Sequence, residues 1–124
     1  MMTGLSQRIL VVDNEPSVCD SIRRLLEVDG HIVETALTSR AAMALFEPKK
    51  YDLLLVDYRM PDTDGDKLIA EIKAVAPGQK ILMMTAYPEA LVTSRVSLTG
   101  IEGLLGKPFG LHELRDALRK VGGG

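Results

Sequence analysis

A single cysteine, Cys19, leaves no partner for an internal disulfide and fits a reducing compartment. There is no apolar run near the length of a membrane span, and no charged-then-apolar signal segment at the amino end. A cytoplasmic chain without membrane attachment is therefore expected. The charges nearly balance: a formal net charge of −2 offers no footprint for nucleic acid, so direct binding to it is not expected. Internal repeats are missing, and so is any sign of a second domain. A shortage of apolar residues, the mark of disorder, is missing too. Hydrophobic residues make up 46% of the 124 and are spread along the chain, enough for one domain with its own core.

What is present is a repeated alternation. Ile9-Leu10-Val11-Val12, Leu53-Leu54-Leu55-Val56 and Ile81-Leu82-Met83-Met84 are apolar runs too short for helices, and they read as strands buried on both faces. His31 to Ala36 is a more mixed strand suited to a sheet edge, and a short strand is expected around Gly103-Leu104-Leu105. Between the strands lie helical stripes. Val18, Ile22, Leu25 and Leu26 follow Pro16 and stop at Asp29-Gly30; Ala42, Leu45 and Phe46 follow a Ser39 cap and stop at Pro48. Leu68, Ile69, Ile72 and Val75 follow Asp64-Gly65 and close at Pro77-Gly78. A weakly patterned helix spans 88–98, and Leu111, Leu114, Leu118 and Val121 mark a last one. Residues 1–7 read as a leader, and 122–124 as a glycine tail or the start of a linker.

Five strands alternating with five helices predict an α/β fold: a doubly wound parallel sheet with helices on both faces. If the strand order is 2-1-3-4-5, the first and third strands end side by side, which brings Asp13 and Glu15 towards Asp57. Acids gathered in one crevice repel unless a cation or protons intervene, and carboxylate oxygens suit Mg²⁺. Thr85 ends the fourth strand and Lys107 follows the fifth. Singly these are a strand-end hydroxyl, a loop lysine and a turn acid; together at one sheet edge they suit a phosphoryl group transferred to a carboxylate.

The motifs Asp13-Asn14, Asp57 with Met60-Pro61 and Gly65, Thr85-Ala86, and Lys107-Pro108-Phe109 make the chain resemble a receiver domain of the bacterial two-component response-regulator family, over roughly residues 8–121. The resemblance implies a flavodoxin-like sheet and a signalling switch, not an enzyme with turnover. Asp57 would accept phosphoryl from a sensor histidine kinase or a phosphotransfer protein, with Thr85 and Lys107 contacting it. Asp13, Asn14, Asp57 and the backbone carbonyl of Arg59 would hold Mg²⁺, with Glu15 as a further candidate. The Lys107-Pro108 bond would be cis. The readout would be a changed surface at the Thr85 loop, the 88–98 helix and the fifth strand, passed to an unknown partner or to an output domain beyond Gly124. A homodimer would use the face made by that helix, the fifth strand and the last helix.

Two positions depart from the family. Asn14 replaces the usual second acid, which predicts weaker metal binding, and Leu104 replaces the usual aromatic switch residue. Arg59 and Tyr87 flank the expected phosphoryl position and would slow its hydrolysis. Two alternatives remain: a receiver-like interaction module with weak or lost phosphorylation, and a haloacid-dehalogenase-type phosphatase, whose Asp-x-Asp the segment Asp13-Asn14-Glu15 imitates. Against the second, Pro16-Ser17 is a poor continuation and no late acidic metal motif is present. His112, His31 and Cys19 read as a helix-surface residue, a strand-start surface residue and an inert helix residue.

Overall fold

The computed structural model describes residues 6–87, 89 and 100–122. The order is β1 (Arg8–Val12), α1 (Pro16–Val28), β2 (Ile32–Ala36), α2 (Ser39–Leu45), β3 (Leu53–Asp57), α3 (Gly65–Val75), β4 (Ile81–Thr85), β5 (Gly103–Gly106) and α4 (Leu111–Gly122). The helix expected over 88–98 lies outside the described residues. All five strands are parallel, in the order β2-β1-β3-β4-β5. The fold class and strand order are those expected.

The apolar runs are continuous because each central strand feeds two cores. Alternate side chains point to opposite sheet faces. Leu10, Val12, Leu54, Val56, Ile81 and Met83 pack with Ala42, Phe46, Leu68 and Ile72 of the α2 and α3 layer. Ile9, Val11, Leu53, Leu55, Leu82 and Met84 pack with Ile22, Leu26, Leu114 and Leu118 of the α1 and α4 layer. The edge strand β2, with only Ala36 fully buried, is correspondingly mixed in sequence.

Helix ends follow local chemistry, with one correction. Pro16 opens α1, and Gly30, at φ +85°, takes the chain out of it, its N–H bonding the Glu27 carbonyl. The cap of α2 is Thr38 and not Ser39: the Thr38 hydroxyl accepts the Ala41 N–H at 2.9 Å, while Ser39 is the first helical residue and is buried. Two adjacent hydroxyl residues compete for such a role, and the one with extended backbone wins. The same helix stops at Leu45, before Pro48, because Phe46 is already extended. His31 precedes β2 and is half-buried, its Nδ1 accepting the Gln7 N–H at 3.0 Å.

Candidate functional site

The register sets the site. Val12 pairs with Val56, so Asp13, one residue on, stands level with Asp57 at the carboxyl edge of the sheet. Asp57 itself pairs with Met84, which brings Thr85 to the neighbouring strand end, and Thr85 pairs with Gly106, just ahead of Lys107. The Lys107 N–H donates to the Thr85 carbonyl at 2.7 Å, and the Lys107-Pro108 bond is cis. Asp13, Asp57 and Thr85 are all buried. Three strand ends and one loop thus deliver polar groups to a single crevice.

Lys107 joins the two acids. Its Nζ lies 2.5 Å from Asp13 Oδ2 and 3.3 Å from Asp57 Oδ1. The other Asp13 oxygen accepts the Glu15 N–H at 2.9 Å, which fixes the carboxylate and turns the chain into α1. Burial pushes the Asp57 pKa up, repulsion from Asp13 adds to this, and Lys107 offsets only part of it. For Lys107, burial disfavours the ammonium, yet the hydrogen bond to Asp13 and the Asp57 charge outweigh it and raise its pKa. Thr85 Oγ1 accepts the Tyr87 N–H at 3.0 Å, and the Tyr87 side chain is exposed.

Behind the crevice Cys19 is buried, its Sγ 3.3 Å from the Asp13 carbonyl. Burial and the Asp13 charge push its thiol up to about 11, so it is an unreactive packing group. Beside Lys107 runs a groove of about 450 Å³, bounded by Val18, Ile22 and Leu25 of α1 and by Pro108 and Phe109. Its walls are chiefly apolar.

The donor set can be tested against Mg²⁺. Two buried carboxylates that already converge on one cation are oxygen donors of the right hardness, and Mg²⁺ commonly takes one or two carboxylates with waters and phosphate oxygens. Of the three acids expected here, Asp13 and Asp57 are buried on Lys107. Asn14 and Glu15 are exposed, and Glu15 acts on Asp57 only through its field. Among the described residues no group of three or more His, Cys, Asp or Glu is assembled to hold a metal. The site therefore suits a cation bound by two carboxylates and completed by other oxygens. Arg59, expected to add its carbonyl, is exposed on the loop after β3.

Two residues of this region were not read from the sequence. Asp62 accepts the N–H groups of Ser39 and Arg40 at 3.1 and 2.9 Å, and Thr38 caps the same helix. Asp62 carried no local signal because its partners lie more than 20 residues away in the chain. Thr38 was legible as the hydroxyl residue before Ser39.

The family model of the response regulator receiver domain matches residues 9–119. The transcriptional regulatory protein ZraR of Escherichia coli (strain K12) is 36% identical over 120 residues, covering 97% of this chain and 27% of that protein. The transcriptional regulatory protein TcrA of Mycobacterium tuberculosis (strain ATCC 25618 / H37Rv) is 35% identical over 118 residues, covering 92% of this chain and 45% of that protein. The chain thus spans less than half the length of either relative. Among solved structures, the response regulator protein TrrA from Thermotoga maritima, in complex with Mg²⁺-BeF, superposes with a TM-score of 0.83 at 30% identity, covering 93% of this chain and 98% of that one. The chemotaxis response regulator CheY4 of Vibrio cholerae superposes with a TM-score of 0.85 at 26% identity, covering 94% and 99%.

Proposed function

Because this chain belongs to the response regulator receiver domain family, we propose that it is a phosphorylation-controlled switch of a bacterial two-component system, with Asp57 as the phosphoacceptor. The observation that carries the reading is Lys107, whose ammonium stands between the buried carboxylates of Asp13 and Asp57. A cation shared by two buried carboxylates at a sheet edge neutralises charge at the place where a phosphoryl group would add more.

The chemistry is set by these groups. An Asp57 oxygen attacks the phosphorus of a donor phosphohistidine; the O–P bond forms, the N–P bond breaks, and the imidazole leaves with the electron pair. Such a transfer requires positioning and charge neutralisation more than covalent help. Lys107 pairs with the phosphoryl oxygens while remaining near Asp13. The Thr85 hydroxyl turns from the Tyr87 N–H to donate to the phosphoryl group, and this links the chemistry to the segment after β4. Mg²⁺, held by Asp13 and Asp57 with Asn14, Glu15 and the Arg59 carbonyl as further candidates, would supply additional neutralisation of phosphoryl charge.

The groove along α1 beside Lys107 offers a sensor histidine kinase or phosphotransfer protein an apolar seat next to Asp57. The switch then works by population. Turning a 1:99 equilibrium into 99:1 requires about 5.5 kcal/mol of discrimination between states, within reach of several charge-assisted contacts in a partly dry crevice. Leu104 is half-buried against the α2 and α3 core, so the moving part is assigned to the Thr85 loop and the segment after it. Output passes to a partner or to a further domain, and the cell compartment is the cytoplasm.

Incubation with Mg²⁺ and acetyl phosphate, read by intact mass, tests the proposal. A single phosphoryl adduct is expected in the wild type, none in Asp57→Asn, and a reduced yield in Lys107→Ala. Absence of an adduct under all conditions would leave a receiver-like interaction module. Continuous release of phosphate from a small phosphate ester would point instead to a phosphatase.

A further inference from the structure

The loop from Asp57 to Gly65 is fastened at both ends. The Tyr58 N–H donates to the Met84 carbonyl at 2.9 Å, and the Gly65 N–H returns to the Tyr58 carbonyl at 2.7 Å. Midway, Asp62 reaches out of the loop to a different element. Its Oδ1 accepts the Ser39 N–H and its Oδ2 the Arg40 N–H, both in the first turn of α2, and the Ser39 hydroxyl donates to the Thr63 carbonyl at 3.4 Å.

These bonds are not required to start α2. Thr38 already caps it through the Ala41 N–H, so Asp62 takes the two earlier N–H groups that a single cap leaves over. An acid is favoured there by the helix dipole, and the Arg40 and Ser39 N–H bonds hold the Asp62 carboxyl below the usual carboxylate range. What Asp62 adds is a tie between the loop that leaves Asp57 and a helix anchored on the other strands. The circuit closes through β2: the Asp13 N–H donates to the Ala36 carbonyl at 3.1 Å, two residues before Thr38.

We infer that Asp62 is a positioning residue of the Asp57 site: by bonding the first turn of α2 it fixes where Arg59 and Met60 stand relative to the two buried carboxylates. The inference rests on the proposed function only where Mg²⁺ is concerned, since the Arg59 carbonyl is a candidate ligand. The tie itself is independent of any ion.

Three variants separate this role from plain helix stability. Asp62→Ala removes the tie, Asp62→Asn keeps an oxygen able to accept one N–H, and Thr38→Ala weakens the same helix end without touching the loop. Amide hydrogen exchange of Arg59 and Met60 without metal, and Mg²⁺ affinity by calorimetric titration, are the readouts. In Asp62→Ala both amides should exchange faster, and Mg²⁺ should bind about tenfold more weakly, the low end for groups that orient a ligand. Asp62→Asn should lie between it and the wild type. Thr38→Ala should lower the urea midpoint yet leave exchange at Arg59 and Met60 and Mg²⁺ affinity near wild type. Equal effects from Thr38→Ala and Asp62→Ala, or unchanged exchange in Asp62→Ala, would overturn the inference. If the wild type bound no Mg²⁺, the metal part of the proposed function would fall, and the exchange data would still decide the role of Asp62.

Discussion

Ionising Asp57 costs stability, because burial and the Asp13 carboxylate both favour its protonated form and Lys107 offsets only part of this. The native state therefore binds the Asp57 proton more tightly than the unfolded chain does. Stability linked to this group is fully present below the ordinary carboxylate value of 3.8 and is lost as pH rises through the higher native value. Removing the charge should recover it. Asp57→Asn is expected to stabilise the protein at pH 7 by on the order of 1 kcal/mol, with the gain vanishing in acid. Urea unfolding at pH 7 and pH 4 checks this; an equal change at both values would mean that charge is not the cause. Lys107 carries the complementary prediction. Its pKa is raised, so its contribution is complete below 10.5 and lost as pH rises through its native value. Lys107→Ala leaves two buried carboxylates facing each other and should destabilise by about 3 kcal/mol at neutral pH, as loss of one partner from a buried pair does.

The β3 to α3 connection is where sequence pattern becomes site geometry. A Cβ on Gly65 would stand 2.5 Å from the Asp57 carbonyl oxygen and 3.0 Å from Tyr58 Cα, both backbone atoms that cannot swing aside. The start of α3 is thus pressed against Asp57, the proposed phosphoacceptor. Gly65→Ala should cost about 2 kcal/mol as an overpacked contact and should also slow phosphorylation of Asp57 in the fraction that remains folded. Urea denaturation and the acetyl phosphate reaction, run on the same variant, test both parts. At this scale much was legible. Short fully apolar runs announced the buried strands, and Gly30 and Pro16 marked the ends of α1, because strand burial and helix termini depend on neighbours in sequence. Gly65 was readable as a turn residue, but its close approach to Asp57 was not. The Asp62 bonds to α2 depend on where distant backbone lies, which residue types do not encode, whereas Thr38 and Ser39 are two adjacent hydroxyl residues that residue type alone does not rank. Strand order predicted that Glu15 would approach Asp57, and its charge does act on Asp57, but that its side chain is exposed after the turn fixed by Asp13 was not readable.

At the scale of the molecule, one sheet is shared by two cores, and its neighbouring side chains serve different layers. Leu54 is buried against α2 and α3, whereas Leu55, the next residue, is buried against α1 and α4. Surface ion pairs cannot weld the layers together. Arg115 of α4 forms two 2.7 Å bonds to Asp29 at the end of α1, but that pair joins helices of the same layer and is partly solvated. Among the described residues the two sides are coupled through the sheet, above all through β1, β3 and β4, whose residues are nearly all inaccessible to water. If that coupling is as tight as the continuous burial implies, a cavity on either side must weaken the whole. Leu54→Ala and Leu55→Ala should each cost about 2–5 kcal/mol, and each should move one urea transition without changing its slope. Tyrosine fluorescence and circular dichroism should report the same midpoint for each variant. A split transition, with the layer opposite the cavity unfolding later, would mean that the cores are separate units joined at β3, and that Asp57 sits on a hinge between them and not on a single rigid edge.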